Sequence, residues 1–392
     1  MVDYLPVVDL FSGPGGLSRG FEDARNHNFR FKVTVANDSD KNAALTYQEN
    51  HQNAEFVLGS IAERGTKRKV RNFVKEKTGR ETVDLVIGGP PCKGFSLANK
   101  MSRNMENPMN HLITHFFDMV KKLDPTAFVM ENVPGIMAME GGKVVESLIS
   151  DFKRLGYRNA DSWLLNAADY GVPQLRRRAF LIGSKSDIPI EKPKPTHAPK
   201  DLAGVSNLKP YVTVKEAIDD LPEIRPGREG YASCSYSSKV PNGFQQMMRK
   251  KSSRVQDHVV TKNTPLVIKR IRSVPPGGNW EDIPRELMQV GGKYGGIELA
   301  HSMIYKRLLK NEPSITITNF RKGMIIHPVQ HRLLSVREAA RIQTFPDDYK
   351  FEGGLSSRQQ QVSDAVPVLL GRRVAETMLI HLHKVIRLAT VN

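Results

Sequence analysis

The stretch LPVVDLFSGPGGL, residues 5–17, runs through three unlike textures in a short span. An apolar run reads as a strand, glycines follow, and a helical stretch starts at Leu17. A strand that turns through Gly13, Gly15 and Gly16 into a helix lets the backbone approach a ligand closely at the helix start. A dinucleotide fingerprint would need another glycine at 18, where Ser18 stands, and no GxxxxGK[ST] occurs anywhere. The loop therefore suits a small nucleoside-like cofactor better than a dinucleotide or ATP.

Working outward, the same alternation continues. FKVTVAND (31–38) reads as a strand and DKNAALTYQENH (40–51) as a helix. AEFVLG, a basic helix, TVDLVIGG, a helix near 111–123 and TAFVMENV follow, then the helical KVVESLISDFKRLG and the strand RRAFLIGS (177–184). Short apolar strands alternating with helices predict an α/β domain with a mostly parallel sheet, whose ligands sit at the carboxyl ends of the strands. After Ser184 the rhythm stops. Residues 185–329 are rich in Gly, Pro and Ser, and predict a second, smaller, loop-rich domain. Order returns at SVREAARIQTF, where Ser335 and Glu338 form a capping-box pattern and Pro346 a stop. Leu370, Val374, Met378, Leu382 and Val385 lie on one helical face near the end of the sequence, which is expected to pack on the first domain. The expected catalytic and cofactor-binding domain is thus 1–184 plus 330–392, interrupted by 185–329.

Composition narrows the class of partner. The 392 residues are 39% hydrophobic, enough for a globular core, and no apolar run approaches a membrane span. The first residues show no basic stretch before an apolar run, so no secretory signal is expected. Two cysteines make no disulfide framework and no CxxC pair points to zinc, so no metal is expected and a reducing cytosol fits. Lys and Arg number 58 against 41 Asp and Glu, a net charge of +17, which predicts a polyanionic partner, first of all nucleic acid. The charge clusters at 64–80, 249–254 and 268–272, and 185–329 holds 24 basic against 14 acidic residues.

Several residues could carry chemistry. Cys92 follows a buried-strand pattern and a double proline in GGPPCKGFS (88–96); it reads either as a displayed nucleophile or as an inert thiol. Glu131 ends another strand, and QLRRR (174–178) places Gln174, Arg176 and Arg178 before a further one. Arg176 and Arg178 alternate, so both can face one way. Asp38, ending the second strand, can accept both hydroxyls of a ribose. A thiol, a carboxyl group and guanidiniums on one rim form a nucleophile–acid–anchor set.

In order along the chain, DLFSGPGG, GGPPCKGFS, ENV, QLRRR, REAARIQTFP and QVSDAVP resemble the DNA (cytosine-5)-methyltransferase family. The resemblance covers 1–184 and 330–392 and is weak across 185–329, where that family places its target-recognition domain. It implies a Rossmann-like, S-adenosylmethionine-dependent methyltransferase fold of bacterial restriction–modification type. It further implies methyl transfer to C5 of cytosine in a specific double-stranded DNA sequence. Cys92 would add to C6, Glu131 would donate to N3, Arg176 would hold the O2 edge beside Arg178, and the target base would be flipped from the duplex. Phe11, Gly13, Gly15, Gly16, Asp38, Ile61, Pro90 and Leu112 would hold the cofactor, and 94–110 would close over the base. The sequence departs from the family pattern at Ser60, where an acid is usual, at Lys93, where glutamine is usual, and at Ser363–Asp364, where Gly-Asn is usual. A monomer in a bacterial cytosol, acting on DNA separately from any companion restriction endonuclease, is the expected assembly. The competing readings are a tRNA-methylating relative, whose Cys-Phe-Thr signature is missing around Cys234 in ASCSYS, and an inactive DNA-binding relative.

Overall fold

In a computed structural model of the chain, residues 3–26, 28–91, 111–237, 240–289 and 303–391 are described. They divide into two compact units: 1–166, 177–195 and 366–392 form the first, and 167–176 with 196–365 the second.

The first unit is built on a seven-stranded sheet. Its strands are β1 (Asp3–Leu10), β2 (Phe29–Asp38), β3 (Glu55–Leu58), β4 (Leu85–Gly88), β5 (Ala127–Asn132), β6 (Asn159–Asn166) and β7 (Arg177–Ser184). Their order is β3-β2-β1-β4-β5-β7-β6. β1 to β5 are parallel, and β7 lies antiparallel between β5 and β6. β4 and β5 are buried along their whole length, which is why both read as unbroken apolar runs. β6 has no such run; Asp161 and Ser162 break its pattern, and the sequence reading passes over it.

Helices α1 (Gly16–Asp23), α2 (Lys41–Asn50), α3 (Arg64–Thr78), α4 (His111–Leu123) and α5 (Lys143–Arg154) connect the strands. Local chemistry sets their ends. The Asp40 side chain accepts from the amides of Asn42 and Ala43 and starts α2, a cap typically worth about 1 kcal/mol. Gly79, left-handed at φ 67°, ends α3. The terminal helix Val368–Val391 packs on α1. The contact is so close that a Cβ on Gly20 would stand 2.6 Å from the Arg372 amide and 2.7 Å from the Val368 carbonyl. Leu370, Val374, Met378 and Leu382 are buried, as their spacing predicts, while Val385 is half-buried. No helix among the described residues is long and apolar enough to cross a membrane.

Among its described residues the second unit has short helices, the antiparallel pair Gly230–Cys234 and Val255–Val259, and the short parallel pair His197–Ala198 and Lys209–Pro210. A small apolar core gathers Ile224, Val260, Ile271, Tyr305, Ile326 and Leu333. Irregular backbone leaves many carbonyls without ladder partners, and buried arginines supply the donors. Arg337 donates to the carbonyls of Gln256, Pro346 and Tyr349, and Arg307 to those of Val274, Ile271 and His327. Arg341 bridges Asp220 at 2.5 Å and Asp347 at 2.6 Å. Arg332 grips Glu338 through two bonds. Burial alone would lift the Glu338 carboxyl, yet the adjoining Arg332 guanidinium holds it well below the usual carboxylate range. The capping box at Ser335 and Glu338 forms as expected.

These pairs draw the compact units differently from the expected domains. Residues 330–365 fall in one unit with 196–329, and within it Arg341 bonds Asp220 and Arg337 bonds the Gln256 carbonyl. They also temper the charge argument. Arg270 and Arg307, counted in the basic excess of 185–329, are buried against carbonyls rather than offered to a partner.

Candidate active site

The reversal of strand order between β1 and β4 leaves a crevice at their carboxyl ends, where ligands of open α/β sheets bind. β1 leaves the sheet through three left-handed residues: Phe11 at φ 58°, Gly13 at φ 53° and Gly15 at φ 93°. Such angles are free for glycine and cost energy for phenylalanine, so Phe11 is a held conformation rather than a relaxed one. The loop is tied to the end of β2: the Ser12 amide donates to the Asn37 carbonyl at 3.0 Å and the Gly13 amide to Asp38 Oδ2 at 2.8 Å. A Cβ on Gly13 would meet nothing within 4 Å, so the loop borders open space. Gly15 then caps α1, which starts at Gly16.

Asp38 also accepts from the Asp40 amide, and burial pushes its carboxyl up from the usual range. The Ser39 amide donates to it as well, and a carboxylate offers about four acceptor sites, so Asp38 keeps room for a hydroxyl donor. Asn37 is buried and ties β2 to β3 through bonds to the Val57 and Gly59 carbonyls. Beyond β3, Ile61 is buried in the core, and the Ser60 hydroxyl accepts from the Ala62 amide. Pro90 is buried and its carbonyl accepts from Asn132 Nδ2, while Leu112 is half-buried in the first turn of α4. The left-handed loop, the open space beside Gly13 and the amide-held carboxylate of Asp38 at the end of β2 fit a nucleoside-bearing cofactor.

The catalytic rim lies on the next strands. Gly88 ends β4 so close to β1 that a Cβ would stand 2.3 Å from the Leu10 carbonyl oxygen. Glu131, near the end of β5, lies over Gly89, whose Cβ would stand 3.0 Å from Oε2. Its other oxygen meets Arg178 Nε at 2.8 Å, with both side chains about nine-tenths buried, 11% and 12% exposed. Cys92, Lys93 and the stretch 94–110 lie outside the described residues.

The two arginines have different partners. Arg178 belongs to β7 and holds Glu131, whereas Arg176 precedes the strand, in the second unit. The Arg176 guanidinium is fully buried and donates to the carbonyls of Ile317, Ser363 and Ala365. Gln174 joins the same network: its amide donates to Gln343 Oε1 and its oxygen accepts from the Ile317 amide. Gln343 reaches the Val362 carbonyl. Sequence reasoning had no signal for this clamp, because its partners are backbone carbonyls far along the chain. Ser363 is buried, its hydroxyl donating to the Gln359 carbonyl, while Asp364 is exposed and accepts from Gln360. Asn132, also unflagged by the sequence, fixes the turn after β4 through Pro90 and caps its own successor, Val133.

A profile described as C-5 cytosine-specific DNA methylase matches residues 5–379. The Type II methyltransferase M.AgeI of Thalassovita gelatinovora is 32% identical, across 95% of this chain and 99% of its own length. M1.HphI of Haemophilus parahaemolyticus, also a Type II methyltransferase, is 33% identical across 96% of this chain and 87% of its own. Among solved structures, a prophage-encoded Escherichia coli protein described as a DNA modification methyltransferase is similar with a TM-score of 0.72. It is 25% identical and covers 97% of this chain and 99% of its own. The methyltransferase EhMeth of Entamoeba histolytica, 14% identical over 97% of this chain and 99% of its own, has a TM-score of 0.58, a likeness of fold alone.

Proposed function

Since the chain belongs to the C-5 cytosine-specific DNA methylases, we propose that Glu131 and Arg178 clamp the ring edge of a flipped cytosine while Cys92 attacks it. The enzyme transfers a methyl group from S-adenosylmethionine to C5 of cytosine in DNA. The observation that carries the residue assignment is the 2.8 Å Glu131–Arg178 pair beside Gly89, at the end of the strand that leads to Cys92.

Cytosine C5 is a poor nucleophile. Addition of the Cys92 thiolate to C6 places electron density on the ring and makes C5 an enamine carbon. Glu131 transfers a proton to N3 as that density develops. Arg178 donates to O2 and keeps Glu131 oriented, a preorganised donor aimed at the growing charge. S-adenosylmethionine, when bound, supplies the electrophilic methyl group. Phe11, Gly13, Gly15 and Gly16 would border it, and Asp38 would accept its ribose hydroxyls. Loss of the C5 proton to a base then expels the Cys92 thiolate and restores the aromatic ring. A buried base is out of reach of these groups in a duplex, so the target nucleotide leaves the stack. Arg176 is assigned a positioning role in place of the O2 contact, because three carbonyls take its donors.

The named Type II relatives place the chain in a restriction–modification setting. In this reading it acts as a monomer in the bacterial cytosol, on its own DNA sequence, independently of a companion endonuclease. The second unit would choose that sequence.

The decisive experiment uses duplex DNA containing 5-fluorocytosine, whose fluorine cannot leave as a proton does. Mass spectrometry should find DNA covalently held at Cys92. An adduct at Cys234, or an active enzyme that forms none, would overturn the assignment. Bisulfite sequencing of DNA from cells expressing the chain would give the target sequence.

A further inference from the structure

We propose that the exposed face of α3 is a second, sequence-independent contact for the phosphate backbone of double-stranded DNA, outside the bases that are recognised. α3 buries Thr66, Val70 and Val74. Its opposite side carries Arg64, Arg68, Arg71 and Lys75, all exposed; Lys69 is exposed too, about 100° round the helix from Arg68. Spacings of four, three and four residues align these cations in one stripe. At 1.5 Å per residue the stripe is roughly 16 Å long. A DNA strand carries one phosphate per about 3.4 Å of axis, so the stripe matches about five phosphates of a single strand.

Glu63 stands at the N-cap of α3, but the first turn itself holds no acid and carries Arg64 and Lys67. Successive members of the stripe are like charges at neighbouring helical positions and repel one another. Lys67 is compensated by Asp118 at 2.6 Å and Lys75 by Glu81 at 2.9 Å. Among the described residues, Arg64, Arg68, Lys69 and Arg71 form no ion pair. The buried face of α3 anchors it in the core, and the cations opposite that face are left for a partner. Arginine, the majority of the stripe, presents a planar fork suited to phosphate oxygens and is more weakly hydrated than lysine.

Placement favours DNA over other polyanions. Arg64 lies just past the carboxyl end of β3, on the same side of the sheet as Asp38 and Glu131, and the stripe runs away from that rim. DNA held there would extend past the target cytosine.

The test compares the wild-type chain with an R64Q/R68Q/K69Q/R71Q variant. Binding is measured on a short duplex of about 14 bp and a long one of about 40 bp, both carrying the methylated sequence, from roughly 50 to 200 mM salt. On the long duplex, the slope of log K against log salt should flatten by about 2 to 4, at about 0.9 per phosphate released. The short duplex should be bound and methylated as before. The thermal midpoint should stay or rise, since like-charge repulsion is relieved, and any variant failing that check is replaced by R68Q/R71Q. Equal slopes on the long duplex would overturn the proposal. So would equal losses on both duplexes, which would place the stripe at the recognised bases. A loss confined to single-stranded RNA of the same length would assign the surface to another polyanion and also refute it.

Discussion

At the scale of the residue, two arginines of one motif divide two jobs. Arg178 meets a carboxylate and Arg176 meets three carbonyls, so their substitutions should fail in different ways. Arg178→Gln should lower turnover by about 100- to 1000-fold, the usual cost of one preorganised donor, with little change in unfolding by denaturant. Arg176→Met should cost about 3 kcal/mol or more of stability, because each buried carbonyl left without a donor costs about 1 to 3 kcal/mol. Denaturant unfolding and single-turnover rates measured on both variants decide the matter. A stable Arg176→Met protein with the rate defect expected of Arg178 would exchange the two roles. Asp9 gives a pH test. Burial pushes its carboxyl up to about 8, against the opposing Ser18 hydroxyl bond at 2.6 Å. The folded chain therefore keeps a proton that the unfolded chain releases above its ordinary value of 3.8. That contribution to stability is whole below this value and is lost as pH rises toward 8. Asp9→Asn retains an acceptor for Ser18 and cannot ionise. Its stability relative to wild type, from urea midpoints, should rise steadily from pH 5 to pH 8, and a flat difference would contradict the assignment.

At the scale of the element, the most exacting contact is that of α1 with the terminal helix. Gly20 has no room for a side chain, and the atoms in the way are backbone, which cannot rotate aside. Gly20→Ala should push the helices apart and destabilise the protein by about 1 to 3 kcal/mol, as overpacking generally does. The same substitution at Gly65, on α3, faces open space and is a fair control. There alanine should be neutral or slightly stabilising through helix propensity. Equal denaturant midpoints for the two variants would contradict the packing account. Nothing near Gly20 in the sequence gives the reason for a glycine there. The partner backbone is some 350 residues away.

At the scale of the whole molecule, the ion pairs decide where the recognition segment can be exchanged. A chimera that replaces 185–329 removes Asp220 and Asp257 while keeping Arg341 and Arg358, which pair with them. Breaking buried pairs one-sidedly costs about 3 to 5 kcal/mol each. Replacing 196–365 keeps each set together. Of two chimeras with the same relative, the second should be expressed in folded form and methylate the relative's sequence, with cofactor affinity close to wild type. Bisulfite sequencing and calorimetry read the two outcomes. A well-folded 185–329 chimera, or a 196–365 chimera that still methylates the original sequence, would refute this partition of roles.

The sequence by itself determined whatever depends on near neighbours. Apolar strands alternating with helices marked the sheet, Gly13 and Gly15 marked the turn into α1, and Ser335 with Glu338 marked a capped helix, because each signal is complete within a few residues. The edge strand β6 was missed because its face pattern is broken by Asp161 and Ser162. Only the tertiary structure decided which arginine reaches Glu131, since alternation along a strand says nothing about the residue just before the strand begins. It also decided that 330–365 joins the loop-rich unit. Hydrogen-bond donors on Arg337 and Arg341 carry no mark of the carbonyl or carboxylate they will find, and that choice is made when chain segments more than 80 residues apart are brought into contact.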